Sequence, residues 1–340
     1  MSLQFTDSWM LGPLEVPNRV LLAPLAGIGN WFVRLQAKRY GAGMAVSEMV
    51  SSHAVHHRNE KTCTEMLRIH QDERVTGPVS IQLFGEDPAV MRSAATRVAA
   101  AGADAIDLNM GCPVPKVCKT GAGAALLSDP DTAVAVARAA RQGSGLPVTV
   151  KLRSGRRSGE QNGFELAHRL VNEAGVAAIA FHPRSAAVHH KGTPDYELVA
   201  RLTQTLDAPV ILTGGLNDAE GIREAFDFTG ATAVMLARGA LGNPWLFAQL
   251  VEDPAMSREG GPARAEVIAE LHWTIDRAVE HLGAERATRY LRKFYPWYIT
   301  RLELDKASAR RLQGSLQVAP TLQQARDLLD AGRLPAVLAT

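Results

Sequence analysis

Short, almost continuously apolar runs recur between residues 19 and 238, and a longer stretch with helical character follows most of them. Such runs are typical of parallel strands that are buried on both faces. We predict eight strands on this basis, at residues 19–24, 43–48, 78–83, 104–110, 147–153, 177–182, 209–214 and 232–238. Eight strands that alternate with helices favour an α/β fold of the (β/α)8 TIM-barrel type, and a doubly wound open sheet is the main alternative.

Helical segments fit between these strands. Alanine-rich stretches at residues 88–101 and 128–141 are the clearest of them, and the second opens with Ser128-Asp129-Pro130, a helix-start signal. Beyond Trp245 the pattern changes. Residues 253–262 are typical of a linker, and residues 263–331 are helical without a strand pattern. We therefore predict a catalytic barrel over residues 1–245 and a small domain of three or four helices within residues 246–340.

The composition is that of an ordinary globular chain. Of 340 residues, 46% are hydrophobic and 21% are charged, which excludes a mostly disordered or collagen-like protein. No apolar run reaches the roughly 18 residues that span a bilayer, and the N-terminus lacks a signal-peptide pattern. Three cysteines, Cys63, Cys112 and Cys118, cannot form a disulfide framework. We expect a cytoplasmic protein, and a monomer, that has no membrane partner.

Polar residues occupy the carboxyl ends of the predicted strands, where a barrel places its active site. They include Gln82, Asn109, Cys112, Lys151, Arg153, His182 and Arg184. A polar group in an apolar strand costs stability unless it is paired, so the set as a whole favours a bound polar ligand. The seventh strand ends in Gly214-Gly215 and the eighth in Arg238-Gly239, which predicts a phosphate site at the usual place in this fold.

Two of these residues leave alternatives open. Lys151 is suited to a Schiff-base nucleophile or to a fixed positive charge, such as one beside a flavin. Cys112, between Gly111 and Pro113, is suited to a general acid, to an activated nucleophile or to a small buried hydrophobe. The cysteine and histidine spacings match no strong zinc signature, and we therefore predict no metal site.

Several motifs together resemble the tRNA-dihydrouridine synthase family, and most closely its bacterial B-type branch. The strongest is Asp107-Leu108-Asn109-Met110-Gly111-Cys112-Pro113, followed by Lys119-Thr120-Gly121-Ala122-Gly123-Ala124. Further support comes from Gln82-Leu83-Phe84-Gly85, from Val150-Lys151-Leu152-Arg153, and from the segment Arg238-Gly239-Ala240-Leu241-Gly242-Asn243-Pro244-Trp245. The resemblance covers nearly the whole chain.

This resemblance implies an FMN-binding barrel with a helical tRNA-binding domain, and the reduction of uridines in tRNA to dihydrouridine. It implies that Cys112 and Asn109 are catalytic. It also implies a set of residues that bind FMN: Pro24, Leu25, Ala26, Gln82, Lys151, His182, Thr213, Gly214, Gly215, Ala237 and Arg238. In the implied mechanism NADPH reduces FMN, the flavin N5 passes a hydride to C6 of uracil, and Cys112 protonates C5.

A basic segment follows in the helical part of the chain. Residues 286–311 carry eight basic and two acidic side chains, a net charge of +6 within a chain whose total is only +2. We predict tRNA contacts from this segment and from the strand ends, at Arg153, Arg184, Arg286, Arg289, Arg292 and Lys293. Aromatic residues are interleaved with the basic ones, and we expect these to be mainly helix core rather than base-stacking platforms.

Three other functions fit parts of the pattern. One is a small-molecule FMN oxidoreductase of the dihydropyrimidine type, which needs no RNA surface. Another is a lyase or aldolase that uses Lys151 as a Schiff base. The third is a barrel that only binds RNA.

Overall fold

The computed structural model describes residues 3–253, 255 and 260–331, and it contains a closed parallel barrel. The strands are β1 Trp9–Leu11, β2 Leu14–Val16, β3 Val20–Leu22, β4 Met44–Val46, β5 Val50–Ser51, β6 Val79–Phe84, β7 Ala105–Asn109, β8 Val148–Arg153, β9 Ala178–His182, β10 Val210–Thr213 and β11 Ala233–Leu236. The eight predicted strands are β3, β4 and β6 to β11, and the prediction of a TIM barrel is confirmed. Pairing of β4 with β6 closes the ring, which excludes the open doubly wound sheet.

Helices surround the barrel and continue into the C-terminal part of the chain. They are α1 Trp31–Arg39, α2 Ser52–His56, α3 Pro88–Ala100, α4 Pro115–Cys118, α5 Pro130–Ser144, α6 Asn162–Ala174, α7 Tyr196–Thr205, α8 Ala219–Thr229, α9 Trp245–Leu250, α10 Arg264–Leu282, α11 Ala284–Tyr290, α12 Tyr295–Ile299, α13 Lys306–Val318 and α14 Leu322–Ala331. A π-helical turn lies at Thr62–Met66, and 3-10 turns lie at Gln71–Thr76, Gly123–Ser128, Arg238–Ala240 and Leu291–Lys293.

The predicted helix starts have a local cause. At α3, the Asp87 side chain accepts hydrogen bonds from the N–H groups of Ala89 and Val90. At α5, the Asp129 side chain accepts one from Thr132, and Pro130 follows it at the first helical position. Both starts combine an acidic N-cap with a proline whose missing N–H costs nothing there.

The bottom of the barrel is closed by an element that we did not predict, the antiparallel hairpin of β1 and β2. Its residues Trp9, Leu11 and Val16 pack in one apolar cluster with the inward-facing barrel residues, among them Ala105 and Ala233. Small side chains in this layer leave space that the hairpin fills. The hairpin therefore closes this end of the barrel, and the cavity opens at the opposite, carboxyl-terminal end.

The C-terminal part is helical, as predicted, but it contains α10 to α14 in the described ranges rather than three or four helices. Short helices such as α11 and α12 are separated by a 3-10 turn that apolar periodicity alone does not resolve. The boundary predicted after Trp245 falls at the first residue of α9. Residues 254 and 256–259 of the predicted linker, and residues 332–340 of the predicted domain, lie outside the described residues.

A buried polar network joins α1 of the barrel to α10. The Glu270 carboxylate accepts hydrogen bonds from Gln36 Nε2 at 2.8 Å, Tyr40 Oη at 2.8 Å and Arg39 Nη1 at 3.2 Å. The apolar core is also continuous across this boundary. The helical part is therefore held against the barrel by both packing and buried hydrogen bonds. Among the described helices, none combines the length and the apolarity that a membrane span requires.

Candidate active site at the barrel mouth

A cavity of about 300 Å³ opens at the carboxyl ends of the strands, where the sequence predicts the site. This volume is in the range of small-molecule sites. Most of the predicted residues line it: Pro24, Ala26, Gln82, Asn109, Cys112, Lys151, Arg153, His182, Thr213, Gly214, Gly215, Ala237 and Arg238. Side chains alternate between the two faces of a strand, so Gln82, Asn109 and Lys151 all reach the barrel interior from their strand ends.

Two predicted residues lie elsewhere. The Leu25 side chain is buried and packs in an apolar pocket with residues such as Phe247 and Trp297, between the barrel and the C-terminal helices. The Arg184 guanidinium donates to the carbonyl of Gly192 at 2.7 and 3.0 Å instead of lining the cavity. The segment containing Leu25 follows a strand end, but the sequence does not tell which of its side chains turn inward.

A row of hydrogen-bonded side chains crosses the floor of the cavity. The buried Asp107 carboxylate accepts from Gln82 Nε2 at 2.6 Å and, on its other oxygen, from Thr149 Oγ1 at 2.5 Å. Gln82 Oε1 accepts from Asn109 Nδ2 at 2.9 Å, and Asn109 Oδ1 accepts from the backbone N–H of Cys112 at 2.9 Å. Strand register brings these residues together, since Gln82 and Thr149 are the direct neighbours of Asp107 on β6 and β8.

Cys112 lies at the rim of this floor with a partly exposed side chain. Burial raises the pKa of the Cys112 thiol above its ordinary value, and the nearby N–H of Val114 only partly opposes this. A thiol with a raised pKa is protonated at neutral pH. The environment therefore suits a proton donor better than a thiolate nucleophile.

Lys151 and His182 both have a lowered pKa because both are buried. Burial lowers the pKa of Lys151, and Arg153 lowers it further, whereas Asp107 opposes the change. Burial also lowers the pKa of His182 far below its usual range, with further contributions from Lys151 and Arg153. His182 is therefore neutral, and its Nε2 lies 3.3 Å from the Arg184 guanidinium, an arrangement in which Arg184 donates.

Arg153, which we predict as a substrate contact, is buried and holds two loops together. Its Nε donates to the carbonyl of Gly111 at 3.0 Å, and its Nη1 donates to the carbonyls of Ser185 at 3.1 Å and His189 at 2.7 Å. The first bond anchors the residue before Cys112, and the other two anchor the loop after β9. Burial lowers the pKa of Arg153 to about 10, so the guanidinium remains charged at neutral pH.

The phosphate end predicted from glycine and arginine lies on one side of the cavity. Gly214 and Gly215 have positive φ angles of 99° and 85°, and both line the cavity. A Cβ atom at Gly214 would collide with the His182 ring, and one at Gly215 would lie 2.5 Å from Tyr196 Oη. The backbone here approaches the cavity in a form that only glycine adopts easily, and the Arg238 side chain, which lines the same side, adds a positive charge.

The basic residues of α11 and the turn after it face a second groove, of about 550 Å³, between the barrel and the C-terminal helices. Arg286, Arg289 and Lys293 line it together with Lys61. Both Nη atoms of Arg286 bond the Glu65 carboxylate at 2.9 Å, and this pairing offsets much of its charge.

Arg292 lies outside this groove, beside Gln317, whose Nε2 donates to its carbonyl at 2.8 Å. Of the five interleaved aromatic side chains, Phe294, Tyr295 and Tyr298 are buried, as expected for helix core. Tyr290 and Trp297 are partly buried against the same core, and Tyr290 also lines the groove.

The cavity wall also contains residues that the sequence did not predict as site residues, namely Val114, Leu216 and Asn217. Met49, which directly follows the second predicted strand, lines the wall as well. The sequence left His189 and His190 open between a solvated loop and a substrate contact, and both line the cavity. Asp107 was not predicted as a site residue either, and it is a single acidic side chain inside an apolar strand. It lies two positions before Asn109, and this spacing places both side chains on the same face of the strand. Over residues 3–253, 255 and 260–331, no group of three or more His, Cys, Asp or Glu side chains is arranged to hold a metal ion.

The chain matches known proteins along most of its length. The family model described as "Dihydrouridine synthase (Dus)" matches residues 21–331. A tRNA-dihydrouridine synthase B of Pseudomonas aeruginosa is 35% identical over 299 residues, which cover 86% of this chain and 87% of that one. A probable tRNA-dihydrouridine synthase of Mycobacterium tuberculosis is 35% identical over 344 residues, covering 97% and 86%.

Solved structures support the fold. Morphinone reductase superposes with a TM-score of 0.55 at 17% identity, covering 75% of this chain and 93% of its own. Histamine dehydrogenase from Rhizobium sp. gives 0.58 at 13% identity, covering 74% and 48%. The identity is too low to carry more than the barrel architecture. The family model and the curated relatives confirm the resemblance that the sequence motifs predicted, including its B-type character, and the chain belongs to the dihydrouridine synthase family.

Proposed function

We propose that this protein reduces the C5=C6 bond of particular uridines in tRNA to 5,6-dihydrouridine, with FMN as the bound cofactor and NADPH as the reductant. The observation that carries the proposal is the Cys112 thiol. It lies at the rim of a cationic barrel cavity, its backbone N–H is bonded to Asn109, and its pKa is raised by burial. The family membership and these groups at the mouth together support uridine reduction over the aldolase and the RNA-binding barrel.

The cavity residues fit a flavin mononucleotide. The polar floor of Gln82 and Asn109 offers N–H groups to the ring, while the glycine backbone at 214–215 and Arg238 suit the phosphate. Lys151 supplies positive charge beside the floor. In this proposal Pro24, Ala26, His182, Thr213 and Ala237 complete the cofactor pocket, and Leu25 contributes through its backbone. Bound FMN would supply the hydride that uracil receives at C6.

The protein's own groups then complete the reduction. The Cys112 S–H bond breaks as its proton is delivered to C5 of uracil, and water must reprotonate the thiolate before the next turnover. Asn109 holds the Cys112 backbone in place and offers its amide to the base. The raised pKa of Cys112 keeps the proton on sulfur at neutral pH, so no separate base has to activate it.

The substrate in this proposal is a folded tRNA, bound in the cytoplasm by a monomer. The target uridine has to leave its stack to enter the cavity. Arg289, Lys293 and Lys61 in the second groove are the basic side chains best exposed for phosphate contacts beside the mouth. Arg289 pairs with Glu285 at 3.1 Å, but both side chains are largely exposed and the pair is easily exchanged for a phosphate. Arg286 is held by two bonds to the less exposed Glu65, and Arg292 lies away from the groove, so both contribute less directly.

The test is dihydrouridine mapping of tRNA. We expect purified protein with FMN and NADPH to form dihydrouridine in tRNA from a strain that lacks the gene. The Cys112→Ala variant should bind FMN and oxidise NADPH but lose at least about 100-fold in uridine reduction. Cys63→Ala is the matched control, because Cys63 lies outside the cavity. An unchanged dihydrouridine pattern in the deletion strain, with no second synthase present, would contradict the proposal.

A further inference from the structure

Asp107 is a buried acid that the proposed chemistry does not use. It lies midway along β7, is fully shielded from solvent, and makes both of its side-chain hydrogen bonds within the barrel interior. A buried carboxylate is costly unless its partners are fixed. Its partners are Thr149 on one side and Gln82 on the other. Gln82 is bonded in turn to Asn109, which is bonded to the Cys112 loop, residues 110–114.

The direction of every hydrogen bond in this row follows from its two ends. Burial raises the pKa of Asp107 to about 6, so the carboxyl group is mainly ionised at neutral pH. An ionised carboxylate only accepts, so Gln82 has to turn its NH2 group toward Asp107 and its oxygen toward Asn109. At the other end a backbone N–H only donates, so Asn109 has to turn its oxygen toward Cys112 and its NH2 toward Gln82. The two requirements agree, so every hydrogen bond between the Cys112 backbone N–H and the Asp107 carboxylate points the same way, toward the carboxylate. We call this common direction the polarity of the row.

This polarity decides what the cavity presents to a ligand. Each primary amide has two N–H bonds, and Gln82 and Asn109 each use one of them within the row. Both side chains also line the cavity. The remaining N–H of Asn109 contacts the Met49 sulfur, a weak acceptor, at 3.8 Å. The acceptor atoms of a planar heterocycle, namely ring nitrogens and carbonyl oxygens, would displace this contact and would also accept from the remaining N–H of Gln82.

We propose that Asp107 is a positioning residue that fixes the orientation of the Gln82 and Asn109 amides, so that the cavity floor presents N–H donors and the Cys112 loop stays anchored. The proposal rests on the proposed function for the identity of the ligands, which are the flavin ring and uracil. Asp107 itself touches neither ligand and acts through Gln82.

The test compares Asp107→Leu with Thr149→Val in the full-length protein. Leucine is close to aspartate in shape but has no acceptor atom, so the Gln82 NH2 group loses the partner that orients it. Thr149→Val removes the other hydrogen bond of the same carboxylate and leaves the Gln82 side intact. Only the first variant therefore frees the Gln82 amide to turn.

Two measurements are made without turnover. FMN affinity is titrated by fluorescence, and Cys112 alkylation by iodoacetamide is followed by mass spectrometry in a Cys63→Ser/Cys118→Ser background. We expect Asp107→Leu to weaken FMN binding about tenfold or more and to change the alkylation rate at least about threefold. Thr149→Val should lower the melting temperature and leave both readouts within about twofold. Equal effects of the two variants, or no effect of the first, would overturn the proposal.

A double variant separates the two parts of the row. In Asp107→Asn/Gln82→Glu the carboxylate introduced at position 82 accepts from Asn109 and from the amide introduced at position 107, which restores the direction of the bond toward the Cys112 loop. Alkylation should return to within about twofold of wild type, while FMN affinity should stay low because the cavity N–H of Gln82 is gone. If Asp107→Leu does not fold, this variant decides the question, and an alkylation rate unlike that of the wild type argues against the proposal. Failure of the wild type to bind FMN would instead refute the proposed function.

Discussion

Replacement of Arg153 by methionine distinguishes a residue that holds the active-site loops from one that binds substrate. Arg153 is 5% exposed and donates three hydrogen bonds to carbonyls, one before Cys112 and two in the loop after β9. Methionine keeps most of the side-chain volume but none of the donors. The Arg153→Met variant therefore removes the link between β8, the Cys112 loop and the following loop with little change in packing.

The expected cost follows from these bonds. A hydrogen bond from a charged donor is worth about 1.5–3 kcal/mol, and Arg153→Met removes three of them. Removal of the buried charge also relieves its desolvation penalty, which offsets part of this loss. We therefore expect the free energy of unfolding to fall by about 3 kcal/mol. For a chain of this size that corresponds to a fall of about 4 °C in melting temperature. The side chain of Arg157 is 86% exposed, and Arg157→Met should cost less than about 0.5 kcal/mol.

Kinetics and alkylation complete the assay. Because the loop before Cys112 loses its anchor, we expect faster alkylation of Cys112 and a fall of about tenfold in kcat, with KM for tRNA changed less than about threefold. The loop-holding role would be refuted by a variant of wild-type stability and alkylation rate whose KM for tRNA rises about tenfold. That result would identify Arg153 as the direct substrate contact predicted from its place at a strand end.

Three further predictions test the domain contact, the RNA surface and the acid. Glu270→Ala should cost about 3 kcal/mol in urea denaturation because buried donors lose their acceptor, whereas Arg39→Ala, on the exposed side of the same cluster, should cost about 1 kcal/mol or less. Similar costs for both would contradict the network. Reversing the charges of Arg289 and Lys293 should weaken tRNA binding and reduce its salt slope, as measured by filter binding from about 50 to 200 mM salt; an unchanged slope would move the RNA surface elsewhere. Since burial raises the pKa of Cys112, kcat should stay level through about pH 8 and fall only above the ordinary thiol value of about 8.5 as the acid form is lost. A fall centred near about pH 7 would exclude the thiol as the acid.

The sequence by itself determined the barrel and most of the cavity. Apolar runs buried on both faces are a local pattern, and they predicted the eight barrel strands to within a few residues. The rule that parallel strands present their carboxyl ends at one mouth then predicted that Gln82, Asn109, Lys151 and His182 converge, since it needs only strand ends and no contacts.

Only the tertiary structure decided what the individual side chains do. Leu25 and Arg184 follow strand ends like their neighbours, but packing turns Leu25 into the core and commits Arg184 to the Gly192 carbonyl. The polarity of the row from Asp107 to Cys112 depends on which atoms meet across β6, β7 and β8. That is set by strand register and by the closure of the barrel. A hydrogen bond between residues 25 positions apart, such as that of Gln82 with Asp107, produces no periodic pattern from which the sequence could predict it.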